Sequence, residues 1–155
     1  MNSFTGYPRT FGAILALGLI AGCAEQATAP PPQAAVGIAP QLAGAWYQVQ
    51  FDSNKSEIDA RGRMIVDTVA RVVGGNAATR VSVIGKTDRV GSATANLALS
   101  QRRADQVRDA LITAGVPAAR IDTRWTGEGK QDVATGDQVS EQRNRVVDIT
   151  VVETR

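Results

Sequence analysis

Gly85-Lys86-Thr87-Asp88-Arg89-Val90-Gly91, followed by Asn96, Leu99-Ser100 and Arg103-Ala104, is the stretch whose reading decides this chain. It puts a carboxylate, Asp88, in a glycine-bounded loop just ahead of a helix. Residues three and four apart stack on one side of a helix, so Asn96, Ser100 and Arg103 share a face. Arg102 lies about 100° away from Arg103 and is not expected on that face. An acid and an arginine converging at a helix N-terminus suit a ligand with both an amine and a carboxylate. Asp88 would hold the ammonium and Arg103 would fork onto the carboxylate. First-turn backbone N–H groups would add anion affinity. Taken alone, Asp88 reads more readily as a turn residue bonding nearby backbone, and Arg103 as a solvated helix arginine.

Outward from this stretch, apolar and turn signals alternate. Trp46-Tyr47-Gln48-Val49-Gln50-Phe51 alternates in the manner of a strand. Asp52-Ser53-Asn54-Lys55-Ser56 is turn-rich. Ile58, Ile65, Val66, Val69, Val72 and Val73 then follow near helical spacing up to Gly74-Gly75-Asn76. Arg80 to Gly85 reads as a buried strand. Ser92 caps a second helix to about Ala114, with Leu97, Ala104, Val107, Leu111 and Ile112 expected inward, and Gly115 and Pro117 end it. Ile121 to Thr126 is a third strand and Glu128 to Val139 a long polar, solvated loop. Asn144 to Val152 is a final strand with Val147, Ile149 and Val151 alternating. Strands alternating with helices imply helices packed on a sheet.

The N-terminal part reads as targeting rather than fold. Arg9 is the only charge before an apolar run from Phe11 to Gly22, the length of a signal-peptide core and too short to span a bilayer. The run ends in Ile20-Ala21-Gly22-Cys23, which resembles a bacterial lipobox, and Cys23 is the sole cysteine of the 155 residues. The resemblance implies cleavage after residue 22 and lipidation of Cys23. Several acyl chains anchor stably where one binds reversibly. Ala24 stands where an aspartate would often mean inner-membrane retention, so the outer membrane is the expected address, with the domain facing the periplasm. Residues 23–44 are then a lipidated cysteine and a Pro/Ala-rich linker containing Pro30-Pro31-Pro32. About 20 residues at roughly 3.1 Å each could reach ~60 Å in polyproline form. The folded domain is expected over 45–155.

Composition narrows the function classes. There are 17 basic and 15 acidic residues and no histidine. No basic block with interleaved aromatics accompanies that balance, so nucleic acid is not an expected partner. Without histidine, without a free thiol once Cys23 is lipidated, and without a metal-ligand cluster, neither an enzyme nor a cofactor is expected. Glu128 with Asp132 is the one carboxylate pair that could be imagined for glycan hydrolysis.

The pattern G-x-T-D-x-x-G…N-x-x-L-S-x-x-R-A resembles the OmpA-like, Pal-type peptidoglycan-associating family. Phe51-Asp52-Ser53-Asn54-Lys55-Ser56 resembles that family's opening, and Asn144-Arg145-Val146-Val147 its close. The resemblance implies an α+β fold, a mixed four-stranded sheet with two long helices packed on one face. It implies non-covalent binding of peptidoglycan through the diaminopimelate of the stem peptide, at Asp88, Arg103, Asn96, Asn54, Asp52, Thr87 and Arg145. The chain would tether outer membrane to cell wall. The rival expectation is a regulatory lipoprotein that sequesters a periplasmic signalling partner. Four positions depart from the family pattern. Lys86 replaces a usual histidine and puts a permanent charge beside the site, Ala95 replaces an aromatic, Glu141 an arginine, and Val146 the second arginine of the closing pair.

Overall fold

The computed structural model describes residues 44–154; the signal segment 1–22, Cys23 and most of the linker lie outside the described residues. The described elements run in the order β1 (Trp46–Gln50), α1 (Ala60–Gly74), β2 (Thr79–Lys86), α2 (Ala93–Thr113), β3 (Ile121–Gly127) and β4 (Val146–Glu153). Short 3-10 turns at Ala118–Arg120 and Gln142–Asn144 precede β3 and β4. The four strands form one sheet in the order β1-β4-β2-β3. β4 is antiparallel to both neighbours, whereas β2 and β3 are parallel. The sheet is therefore mixed and four-stranded, as the resemblance implies.

Each helix begins on a side-chain cap. The Asp59 carboxylate accepts from the Gly62 N–H at 2.6 Å, and the Ser92 hydroxyl from the Ala95 N–H at 3.2 Å. One sheet face meets the helices. Val49 on β1, Val81 and Val83 on β2, and Val147, Ile149 and Val151 on β4 pack there against Val66, Val69, Val73, Ala104, Val107 and Leu111. The period-2 and period-3.6 patterns of the sequence are both satisfied by this single interface. Gly85 allows α2 to sit almost on β2, since a Cβ there would lie 2.1 Å from the Ser100 carbonyl oxygen.

Two expectations about α2 are overturned. Leu97 is 46% exposed and Ile112 38%. The inward stripe is Asn96, Leu99, Ser100, Arg103, Ala104, Val107 and Leu111. Leu97 and Ile112 each stand one residue, about 100°, off it. The helix buries polar Asn96, Ser100 and Arg103 in preference to these two apolar residues. β4 also begins later than expected, because Gln142–Asn144 is a 3-10 turn.

The Glu128–Val139 segment is not the free solvated loop expected. The Asn144 side chain accepts from the Val133 N–H at 2.9 Å and donates to the Val133 carbonyl at 2.7 Å. Lys86, nearly buried, pairs with Asp132 of this loop and with Asp148 of β4, the latter at 2.6 Å. Gln48 Nε2 on β1 donates to both carboxylates, at 2.8 and 3.0 Å. Two carboxylates around one ammonium tie the loop to the sheet. Burial alone would lower the Lys86 pKa, but the hydrogen bonds and charges of Asp132 and Asp148 outweigh it and hold it above the usual value.

Candidate functional site

The β2–α2 loop, the β1–α1 loop and the N-terminal half of α2 enclose a cleft of about 460 Å³. Its lining includes Ser53, Asn54, Asp88, Gly91, Asn96 and Leu99. Asp88 is only 4% exposed. Its Oδ2 accepts from Arg145 Nη1 at 3.0 Å, from the Ser140 hydroxyl at 3.3 Å and from the Glu141 N–H at 3.3 Å. Oδ1 has no partner among the described residues. One oxygen is thus held in place by three donors while the other keeps its lone pairs.

Arg145 is tied in turn, its Nε donating to the Phe51 carbonyl at 3.2 Å and its Nη1 to Ser140 at 2.9 Å. The strand-end arginine, the loop and Asp88 therefore form one polar unit. Asn54 sits in the left-handed region at φ 54°, which asparagine tolerates better than most residues. Asn96 Nδ2 donates to Glu128 at 2.6 Å. Asp52 is exposed and pairs with Lys55 at 3.1 Å. Thr87 is buried, its N–H donating to the Gly127 carbonyl at 2.9 Å, and its hydroxyl has no partner among the described residues.

Arg103 is the most informative placement. Its relative exposure is 0%. Nε donates to the Lys55 carbonyl at 2.8 Å, Nη1 to the Lys86 carbonyl at 3.1 Å and Nη2 to the Asp52 carbonyl at 2.9 Å. The guanidinium also lies 5.1 Å from the Phe51 ring centroid. It ties the β1–α1 loop to the end of β2, the two segments that carry Asn54 and Asp88. Burial lowers its pKa to about 10, a fall that the Asp88 charge limits and those of Arg145 and Arg102 deepen. It stays charged at neutral pH.

The sequence argument put Asn96, Ser100 and Arg103 on one face, and they are on one face, which packs on the sheet. Ser100 accepts the Gly127 N–H at 3.0 Å from within that packing. The helix wall of the cleft carries Ala95, Ala98 and Arg102, with Asn96 and Leu99 from the inward stripe and neither Ser100 nor Arg103. Arg102, set aside by the angular argument, is thus a lining residue. Its spacing from Ala95, Ala98 and Leu99 (i, i+3, i+4, i+7) was the signal that could have found it. The charge of Lys86 is taken up by Asp132 and Asp148, not directed at Asp88. Glu128 and Asp132, the imagined hydrolytic pair, are engaged separately, Glu128 by Asn96 and Asp132 by Lys86 and Gln48.

Comparison with known proteins bears on this arrangement. Residues 50–146 match the OmpA family. The chain is 39% identical over 103 residues to the probable lipoprotein YiaD of Escherichia coli, covering 66% of this chain and 47% of YiaD. It is 37% identical over 97 residues to the peptidoglycan-associated lipoprotein of Pasteurella multocida, covering 63% of this chain and 65% of that one. Among solved structures, the peptidoglycan-associated lipoprotein from Burkholderia pseudomallei superposes with a TM-score of 0.63 at 28% identity, over 67% of this chain and 88% of that one. The chain thus spans about half the length of YiaD and just under two thirds of the Pasteurella protein.

Proposed function

The chain belongs to the OmpA family, and from that premise we propose that it is an outer-membrane lipoprotein, anchored through Cys23, that binds peptidoglycan non-covalently at the Asp88 cleft and tethers membrane to wall. Its relatives include proteins named for association with peptidoglycan. The domain acts as a binding module without catalysis.

The observation that carries the reading is the division of labour at Asp88. Arg145, Ser140 and the Glu141 N–H hold one carboxylate oxygen, the other has no partner among the described residues, and Asp88 lines the cleft. An ammonium reaching that oxygen makes a charge-assisted hydrogen bond to a carboxylate that is nearly sealed from solvent. The side-chain end of diaminopimelate offers such an ammonium together with a carboxylate. The Arg103 guanidinium behind the cleft and the N-terminus of α2 provide a positive field for that carboxylate. A lysine-type stem peptide carries the ammonium alone and loses this second attraction.

Sedimentation with purified sacculi tests the reading. Asp88→Asn keeps the shape of the side chain and removes its charge. Retention on diaminopimelate-type sacculi is expected to weaken at least tenfold, since removing one partner of a buried charge pair costs about 2–5 kcal/mol. Lysine-type sacculi should bind the wild-type protein more weakly than diaminopimelate-type ones. Equal retention of wild type and variant would remove Asp88 as the site. Metabolic labelling with palmitate tests the anchor separately. Wild type should take up label and Cys23→Ser should not, and an unlabelled wild type would sink the anchor.

A further inference from the structure

We propose that Arg102 pairs directly with a carboxylate of the bound peptide and is the residue through which this cleft selects acidic ligands; this rests on the wall-binding reading above. Three observations support it. First, Arg102 stands on the helix face that forms the cleft wall, in line with Ala95, Ala98 and Leu99. Asp88 lines the same cleft. Second, Arg103 is sealed from solvent with three of its five N–H donors on backbone carbonyls. Arg145 is committed to Asp88, Ser140 and the Phe51 carbonyl. Arg102 is exposed and has no hydrogen-bond or ion-pair partner among the described residues.

Third, the other exposed cations around the cleft already have carboxylate partners. Arg145 is paired with Asp88, and Glu128 is held by Asn96. Lys55, Lys86, Arg89 and Arg143 nearby are each paired with carboxylates of their own. Arg102 is the exposed cation among these with no carboxylate of its own among the described residues. A ligand carboxylate that reaches this wall gives Arg102 the partner it lacks. A planar guanidinium takes a carboxylate through two parallel hydrogen bonds, so the match is geometric as well as electrostatic.

A stem peptide has three carboxylates that could serve: on the diaminopimelate, on the γ-linked D-glutamate, and at the D-alanine terminus. Calorimetry on the full chain in detergent separates them. The probes are the tetrapeptide L-Ala-γ-D-Glu-diaminopimelate-D-Ala and three forms of it, each amidated at one carboxylate. With wild type, one amidated form should bind about fivefold more weakly than the parent, the size of a partly exposed ion pair. Arg102→Gln should bind the parent peptide about fivefold more weakly and should no longer distinguish it from that amidated form. Arg102→Lys should recover part of the difference. The form whose penalty vanishes identifies the carboxylate. If Arg102→Gln binds the parent peptide as tightly as wild type, or keeps the wild-type penalty on every amidated form, the assignment of Arg102 is overturned while the Asp88 reading stands. If wild type binds none of the four peptides, both fail together.

Discussion

Replacing Arg103 separates two roles that a binding assay alone would confuse. Its guanidinium holds the carbonyls of Asp52, Lys55 and Lys86. In Arg103→Met the apolar stem still packs near Phe51, but all three acceptors lose their donor. Asp52 and Lys55 belong to an exposed loop, and their carbonyls can be rehydrated with a small shift, at about 0.5 kcal/mol each. The Lys86 carbonyl lies at a buried residue, and leaving it unpaired costs about 2 kcal/mol. The expected loss is therefore about 3 kcal/mol, a large part of the ~5–15 kcal/mol that holds a domain folded. Urea unfolding followed by circular dichroism measures it. Arg103→Lys keeps the charge but cannot span three carbonyls, so it should lose nearly as much. The folded-state pKa of about 10 lies below the usual guanidinium value, so the unfolded state binds more protons only between the two. Stability gains from this group with rising pH are confined to that alkaline window, and the penalty of the substitution should be flat from pH 5 to 9. A loss under ~1 kcal/mol, or a lysine variant as stable as wild type, would refute the idea that Arg103 braces the cleft. Weak sacculus binding by an Arg103 variant is interpretable only beside this measurement.

Other perturbations have equally definite outcomes. Lys86→Met strands Asp132 and Asp148 beside each other. It should cost about 3 kcal/mol at pH 7. The stranded pair then holds a proton more tightly folded than unfolded, so this variant should gain stability as pH falls toward 4; urea titrations at several pH values that show no such trend would count against the clasp. Wild-type Lys86, with its pKa raised, gives stability that is complete below the usual 10.5 and is lost only as pH rises through the higher folded value. Glu141 is held at about 2, below its usual 4.5, by hydrogen bonds from the Arg143 side chain and backbone. Its carboxyl should titrate in NMR well below its neighbours, and a midpoint near 4.5 would dissolve that bond. Gly85→Ala places a Cβ 2.1 Å from the Ser100 carbonyl. Moving α2 off β2 should cost at least about 2 kcal/mol, read by thermal unfolding.

The sequence by itself determined the element order and the direction in which most side chains face. Alternation at Val147, Ile149 and Val151, and helical spacing at Val66, Val69 and Val73, are local properties of a chain with one apolar side to hide. The motif positions also determined that Asp88 and Asn96 would meet, because a short loop and one helical turn separate them. What periodicity could not decide was which side of α2 faces the sheet where its polar and apolar stripes compete. Arg103, Ser100 and Asn96 are buried while Leu97 and Ile112 are not. The backbone carbonyls of Asp52, Lys55 and Lys86, and the N–H of Gly127, come from other segments and need donors or acceptors at that depth. Those partners exist only once the strands are assembled. The same holds for Lys86, whose charge looks free in sequence and is bound by carboxylates 46 and 62 positions away. Arg102 became a wall of the cleft for this reason too. The tertiary structure turned its neighbour inward to satisfy the backbone, and so left Arg102 on the cleft wall.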